Sequence, residues 1–527
     1  MRTGLRLIVV TALGAVIACA RAEPRATYDV EEKSIRELQS DLASGRTTSE
    51  ALVTAYLERI ARLDRTGPTL RSVLATNPDA VAQARALDLE RAGGRTRGPL
   101  HGIPLLVKDN IETLDPMPTT AGSLALTANV THRDAPAIAR LRTAGAIVLG
   151  KANLSEWANI RSSQSTSGWS AVGGLTRNPY ALDRNACGSS SGSGAAIAAS
   201  LAAGAIGTET DGSVVCPSAA NGLVGIKPTI GLISRTFVVP ISHSQDTPGP
   251  MTRTVEDTAI LLTIMAGTDA ADPATHASDA RKTNYGASLD PDGLRGARIA
   301  ALRFLAGYHA GTDAAFDRAL QTMKAAGAEI VEVASLEGRD ELAQAELLVL
   351  LTELKTDLNR YLSSTPPAVK TRSLADVIAF NRATPAELRH FGQDLFEKAE
   401  ASKGLSDPAY VAAAAKAKRL AGPDGIDRLL REHRAVALVA PTGGPAWMTD
   451  LTTGDHFLGS ASEYPAIAGY PHITVPMGDV MGLPVGLSFI GEAFSEARLI
   501  GLAFAFEQRT RARARPGFPP SVATPLP

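Results

Sequence analysis

The sequence predicts an α/β fold, a mixed central β-sheet covered by helices on both sides, and three observations carry that reading. Short apolar runs with strand character recur at Gly102 to Lys108, Ala146 to Gly150, Ala205 to Thr208, Leu223 to Ile226, Arg298 to Leu302, Glu329 to Val333, Ala435 to Ala440, His472 to Val475 and Val485 to Ile490. Helical segments separate many of them, the alternation that places helices on a sheet. The chain has 527 residues, 44% of them hydrophobic and 20% charged, so a large core can be buried.

Taken in order, the elements begin with a leader. Arg2 and Arg6 precede the apolar run Leu7 to Ala18, and small residues follow, which is the layout of a secretory signal over residues 1–22. The run is shorter than the roughly 20 apolar residues that span a bilayer. Two cleavage readings stand: Ala20-Arg21-Ala22 ahead of Glu23, or the lipobox-like Val16-Ile17-Ala18-Cys19, in which Cys19 would carry a lipid. Both send the mature chain out of the cytoplasm, to the periplasm or beyond, with membrane contact only through a lipid anchor at Cys19. From residue 30 to 527 one domain is expected.

Within it, Leu38, Leu42, Leu52, Tyr56 and Ile60 fall at helical spacing between Ser34 and Leu63, with Thr48 or Ser49 as a cap. Pro78 to Ala92 and Ala135 to Ala144 read as further helices. Residues 335–432 are rich in Ala, Leu, Glu and Lys with little strand signal, a helical excursion expected to wall one side of a cleft. Arg509, Arg511, Arg513 and Arg515 read as the solvated end of a last helix. A net charge of -1 gives no electrostatic case for nucleic acid. The nine histidines are scattered, without H-E-x-x-H or C-x-x-C, so no metal site is expected. Cys187 and Cys216 admit two readings: a disulfide, which an oxidising compartment permits, or a pair of small buried fillers.

Gly188 to Pro228 is dense in Gly, Ser and Ala and holds two serine clusters joined by an apolar stretch. Glycines let backbone amides approach a ligand, and serines supply nucleophiles or proton relays. The first cluster, Gly188-Ser189-Ser190-Ser191-Gly192, matches G-x-S-x-G with Ser190 central. A nucleophile elbow needs a strand before it, however, and Leu182 to Cys187 is polar and turn-like. The second, Thr208-Glu209-Thr210-Asp211-Gly212-Ser213, has an apolar strand in front and a glycine in its turn. Ser213 can be exposed there while consecutive amides aim at one spot, as an oxyanion hole requires. The conspicuous base is Lys108, at the end of the apolar run Ile103 to Val107, where burial lowers an amine's pKa and frees it to accept a proton.

The motifs HGIPLLVKDNIET, TTAGSLAL, AGAIVLGKANLSEWAN, TRNPYALDRNACGSSSGSG, GTETDGSVVCPSAANGLVGIKPTIGLIS, EYPAIAGYPHITVPMG and GLPVGLSFIG occur in one order along nearly the whole body. In these the chain resembles the amidase signature family. The resemblance implies a single amidase-signature domain and a Ser-cisSer-Lys triad in which Ser213 is the nucleophile, Ser189 the relay after a cis peptide and Lys108 the base. Ser189 and Ser213 stand 24 positions apart, the family's separation. It further implies an oxyanion hole from the amides of Thr210, Asp211, Gly212 and Ser213, substrate contacts at Ser163 and Ser189, supporting roles for Ser190 and Glu209, and no cofactor. Two departures matter: Asp211 stands where the family commonly has glycine, and Val215 where it commonly has arginine. The TETDGS form resembles the peptide-amidase branch, and loss of the arginine argues against half-amides of dicarboxylates.

The implied activity is hydrolysis of a linear carboxamide, small-molecule or peptide, through an acyl-enzyme on Ser213. Two alternatives are kept: an esterase or aryl-amidase using the same triad, and a non-catalytic exported binding protein. A subunit of the tRNA-dependent amidotransferase is disfavoured by the leader and the absence of a basic RNA surface.

Overall fold

The computed structural model describes residues 28–522. The leader over residues 1–22, with Cys19, lies outside the described residues. Eleven strands form one sheet: β1 (Val73–Thr76), β2 (Pro104–Lys108), β3 (Ile147–Ala152), β4 (Gly204–Glu209), β5 (Val224–Lys227), β6 (Thr247–Thr252), β7 (Arg298–Leu302), β8 (Glu329–Val333), β9 (Ala437–Pro441), β10 (His472–Val480) and β11 (Leu483–Ile490). Their spatial order is β1-β3-β2-β4-β6-β5-β10-β11-β9-β7-β8. β3, β2 and β4 run parallel, as do β9, β7 and β8, while the strands between them pair antiparallel. The sheet is therefore mixed.

Both faces are covered, which is why β2, β4 and β9 are buried along their whole length and read as continuous apolar runs. Period-2 alternation divides their neighbours between two cores. Ile299, Ala301, Ala437 and Val439 enter the main core with Leu320, Leu499 and Phe506. Ala300, Leu302, Leu438 and Ala440 face the other side, against Leu342, Ala417 and Tyr464. The N-terminal helices form where their caps stand: Ser34 closes a capping box with Glu37 on Ile35–Ala43, and Thr48 accepts from Ala51 N–H at the start of Ser49–Arg59.

Between β8 and β9 the chain is helical, in Arg339–Ser363, Leu374–Ala383, Asp394–Glu400, Pro408–Ala421 and Asp427–Glu432. Leu354, Leu358, Leu362, Val377 and Phe396 make a third core with Leu126 and Trp157 of the body. A buried ion group reinforces that seam: Arg161 lies 3.2 Å from Glu156 and 3.8 Å from Glu387, and stacks over Phe391 at 4.2 Å.

Lys108 ends β2 and Glu209 ends β4, and the two strands are parallel neighbours. Their carboxyl ends share one edge of the sheet, where open α/β folds leave a crevice for a ligand.

Candidate active site

Lys108 is fully buried and makes three contacts. Its Nζ lies 2.7 Å from Ser189 Oγ, and it donates to Thr208 Oγ1 at 2.8 Å and Thr208 O at 3.2 Å. Burial drives its pKa from 10.5 down to about 7, against an opposing pull from Asp246 and Glu209. A neutral amine has two N–H donors and one lone pair. The two acceptors on Thr208 use the donors, which leaves the lone pair for the Ser189 hydroxyl. Asn110 Nδ2 also donates to Thr208 Oγ1, at 2.9 Å, and fixes that side chain.

The Gly188–Ser189 peptide is cis. Ser189 faces Lys108, while the next residue turns away: Ser190 Oγ donates to Thr208 O at 3.1 Å and accepts from Thr208 N–H at 3.3 Å. Ser190 thus pins the helix Ser191–Ala198 to the end of β4, and the central serine of the G-x-S-x-G match has its hydroxyl already committed. Gly207 of β4 permits the approach, since a Cβ there would sit 2.7 Å from Ser190 Oγ. Ser190 N–H donates to Ser213 O at 3.1 Å, so the two serine clusters are bonded through their backbones.

The turn after β4 is held from two sides. Glu209, buried at the strand end, accepts from Val214 N–H at 2.8 Å and Val215 N–H at 3.0 Å, capping the start of the helix Val215–Ala220. The Thr210 hydroxyl donates to Asp246 Oδ1 at 2.6 Å. Gly212 takes φ +75°, a conformation glycine adopts without strain. Ser213 follows, 8% exposed, on the wall of a cavity of about 390 Å³. Ser189, Thr210, Asp211, Gly212 and Ser213 all line that cavity.

The other walls come from distant segments. Ala158, Asn159 and Ile160 form one side; Trp447, Phe457, Ser462 and Glu463 another; Arg339 and Leu350, from the helical excursion, complete it. Ser163 belongs elsewhere. It is exposed, its N–H and hydroxyl donate to the two oxygens of Asp394 at 3.0 and 2.9 Å, and it is not among the residues lining the cavity. The polar groups of Ser163, expected at a substrate contact, here dock the helix Asp394–Glu400, and Ala158 to Ile160 take the wall position.

Cys187 and Cys216 are joined as a disulfide, which decides between the two readings of the pair. The bridge staples the residue before Gly188 to the helix after Ser213, spanning 29 residues. Replacing both cysteines by alanine should lower stability by about 3 to 4 kcal/mol, the loop-closure entropy of a bridge that long. Urea denaturation reads this directly, and an unchanged midpoint would show that the staple does no more than the packing around it.

The Amidase family profile matches residues 51–500. The chain belongs to the amidase family. Among relatives of this amidase, a probable amidase from Arabidopsis thaliana is 40% identical over 504 residues, covering 93% of each chain. The A subunit of a glutamyl-tRNA(Gln) amidotransferase from Acinetobacter baylyi is 33% identical over 492 residues, covering 92% of this chain and 97% of its own. Among solved structures, the native peptide amidase from Stenotrophomonas maltophilia superposes with a TM-score of 0.88 at 52% identity, over 93% of this chain and 99% of its own. A peptide amidase bound to the competitive inhibitor chymostatin gives 0.89 at 53%, over 92% of this chain and 99% of its own. The amidase is an amide hydrolase with a peptide-amidase-like chain, built on the single α/β domain expected from its motifs.

Asn110, Thr208 and Asp246 were not singled out in the sequence. Asn110 and Thr208 were within reach, being two positions after Lys108 and at the end of the apolar run that leads to the turn before Ser213. Asp246 lies in a Pro-rich segment with no strand signal and gave no sign of its role.

Proposed function

We propose that this amidase is an exported enzyme that removes the amide from the C-terminus of peptides, with Ser213 as nucleophile, Ser189 as relay and Lys108 as base. The observation that carries the reading is the Lys108–Ser189 contact of 2.7 Å at a fully buried amine, opening onto the cavity that Ser213 lines. Neutral Lys108 takes the Ser189 proton as Ser189 takes that of Ser213, and Ser213 Oγ attacks the carboxamide carbon. The amides of residues 210 to 213 receive the oxyanion. The proton returns through Ser189 to the nitrogen, the C–N bond breaks, and ammonia leaves an acyl-enzyme. Water repeats the sequence to release the carboxylic acid and restore Ser213.

The cavity's chemistry supports a neutral carboxamide on an apolar chain. Three carboxyl groups, Asp211, Asp455 and Glu463, line it against a single cation among the described residues, Arg339, and Val215 stands where an arginine beside the nucleophile could have held a substrate carboxylate. Trp447, Phe457, Leu350, Ile160 and Ile241 offer apolar surface for a side chain. Likeness to a peptide amidase that binds chymostatin supports the peptide character of the substrate. Export is supported by the leader-like residues 1–22 and by the Cys187–Cys216 bridge, since disulfides persist in oxidising compartments.

Incubation with N-acylated dipeptide amides should release ammonia and leave the matching free acid, followed by coupled ammonia assay and mass spectrometry. Hydrolysis of matched esters and anilides without any turnover of the primary amides would overturn the peptide-amide reading.

A further inference from the structure

The loop 241–246 bridges the turn before Ser213 and the helix Arg339–Ser363. Toward the turn, Asp246 Oδ1 accepts the Thr210 hydroxyl at 2.6 Å, and Gln245 Nε2 donates to Thr210 O at 3.4 Å. Asp246 Oδ2 accepts from the N–H groups of Ile241 and Ser242 at 2.8 and 2.9 Å, closing the loop on itself. Toward the helix, Gln245 Nε2 donates to Glu346 Oε1 at 2.8 Å. Glu353 Oε2 accepts from Ser244 N–H at 3.1 Å, from the Ser244 hydroxyl at 2.9 Å and from the Ser242 hydroxyl. His243 donates its backbone N–H to Asp357 Oδ2 at 2.9 Å and places Nδ1 2.7 Å from the same oxygen, with Nε2 3.4 Å from Glu353 Oε1. Glu346, Glu353 and Asp357 sit on one face of the helix, two turns and then one turn apart.

We propose that His243 is a positioning residue for the oxyanion turn: it locks the loop 241–246 onto Glu353 and Asp357, and through Asp246 keeps Thr210 in register with Ser213. The inference rests on reading the amides of residues 210 to 213 as the oxyanion hole. Glu353 and Asp357 are buried one helical turn apart, where two like charges repel unless a cation sits between them. His243 stands there with its side chain 42% exposed, so it exchanges protons with solvent. Protonated, both ring nitrogens donate, one to each carboxylate; neutral, one of them faces a carboxylate as a second acceptor.

The surrounding charges divide as follows. The Asp357 hydrogen bond holds the His243 pKa above its usual range; partial burial opposes it, Glu353 adds to it, and Arg235 lowers it. Arg235 is itself paired with Asp272, and it donates to His243 O. Arg360 lies 3.6 Å from Asp357 Oδ1, and the Tyr410 hydroxyl donates to Glu353 Oε1 at 2.7 Å. Because the folded-state pKa of His243 is raised, the clamp is complete at low pH and is lost as pH rises through that pKa. Lys108 has the opposite requirement, being active only when neutral. Turnover should therefore rise as Lys108 loses its proton and decline again as His243 does.

The test is kcat and KM against pH, from about pH 5.5 to 10, for the wild type, His243→Gln and His243→Arg on one peptide amide. Misplaced oxyanion donors act on the transition state, so His243→Gln should lose about tenfold in kcat near neutrality with KM within twofold, and its profile should lack the alkaline decline. His243→Arg, with a permanent charge in the same place, should recover most of the neutral kcat and keep it at alkaline pH. Wild-type kcat in His243→Gln, or an alkaline decline that survives in His243→Arg, would overturn the inference alone. A wild-type enzyme without turnover would overturn it together with the reading of the site on which it rests.

Discussion

Ser213→Ala should abolish peptide-amide hydrolysis, lowering kcat by about five to six orders of magnitude, the loss seen when a serine hydrolase is stripped of its nucleophile. The neighbouring serines make this a sharp test, because Ser189, Ser190 and Ser213 lie within one bonded constellation. Ser213 stands on the cavity wall at the end of the Thr210-Asp211-Gly212 turn, whose residues line the same cavity. Ser190 has its hydroxyl engaged by both the N–H and the carbonyl of Thr208, so Ser190→Ala should cost about 1 to 3 kcal/mol of stability and less than tenfold in kcat. Initial rates of ammonia release, with labelling by a fluorophosphonate located by peptide mapping, separate the two. Equal losses in the two variants, or a label on Ser190, would show that the G-x-S-x-G match is the working nucleophile after all.

How far the fold could be read beforehand depended on whether a strand announces itself locally. β7 and β8 were bounded to the residue, because Arg298–Leu302 and Glu329–Val333 are β-rich runs flanked by loops. β10 runs on to Val480, past the expected end at Val475, because a bulge between Pro476 and Gly478 absorbs two residues that look like a stop. β6 escaped notice altogether. Its sequence, Thr247–Thr252, carries Pro248 and Pro250, which argue against a central strand, yet the ladder to β5 begins only at Met251, beyond both prolines. β1, Val73–Thr76, is four residues at the sheet edge and too short to stand out.

The site divides along the same line. Lys108 and Ser213 drew attention because each sits in a compact motif whose composition declares its backbone, a strand end and a glycine turn before a helix, whereas composition pointed to Ser190 in the first cluster and only the family resemblance picked out Ser189. Thr208 was quoted in the second motif but read as strand; only the structure shows it taking both donors of the Lys108 amine. Trp447, Asp455 and Glu463 reach the cavity from segments more than two hundred positions downstream of Ser213, and no local pattern encodes that meeting. Ser163 shows the converse. A serine near a family motif has no sequence signal saying whether its hydroxyl points at the ligand or, as here, at Asp394.

Lys108→Met should lower kcat by about a hundred- to ten-thousandfold, the usual worth of a positioned base, and flatten the pH dependence below neutrality. In the wild type the neutral fraction of Lys108 rises tenfold per pH unit up to about 7, so kcat/KM should climb with that slope and flatten there, ahead of the decline expected as His243 loses its proton. The variant should also be the more stable protein in acid. An amine whose pKa falls from 10.5 unfolded to about 7 folded contributes its full stability only above 10.5, and loses it as pH drops through 7. Integrated over that interval the penalty is roughly 4 to 5 kcal/mol, and methionine, of similar length and uncharged, escapes it. Thermal denaturation near pH 6 should therefore place Lys108→Met at or above the wild type, with the gap closing as pH rises toward 10.5, where the unfolded amine loses its proton as well. An equal acid dependence of the two melting temperatures would mean that Lys108 keeps its proton when buried, and a protonated amine cannot take one from Ser189. The same desolvation that lowers the Lys108 pKa is thus a standing cost to the fold, held in place by Thr208 and the closed end of β2.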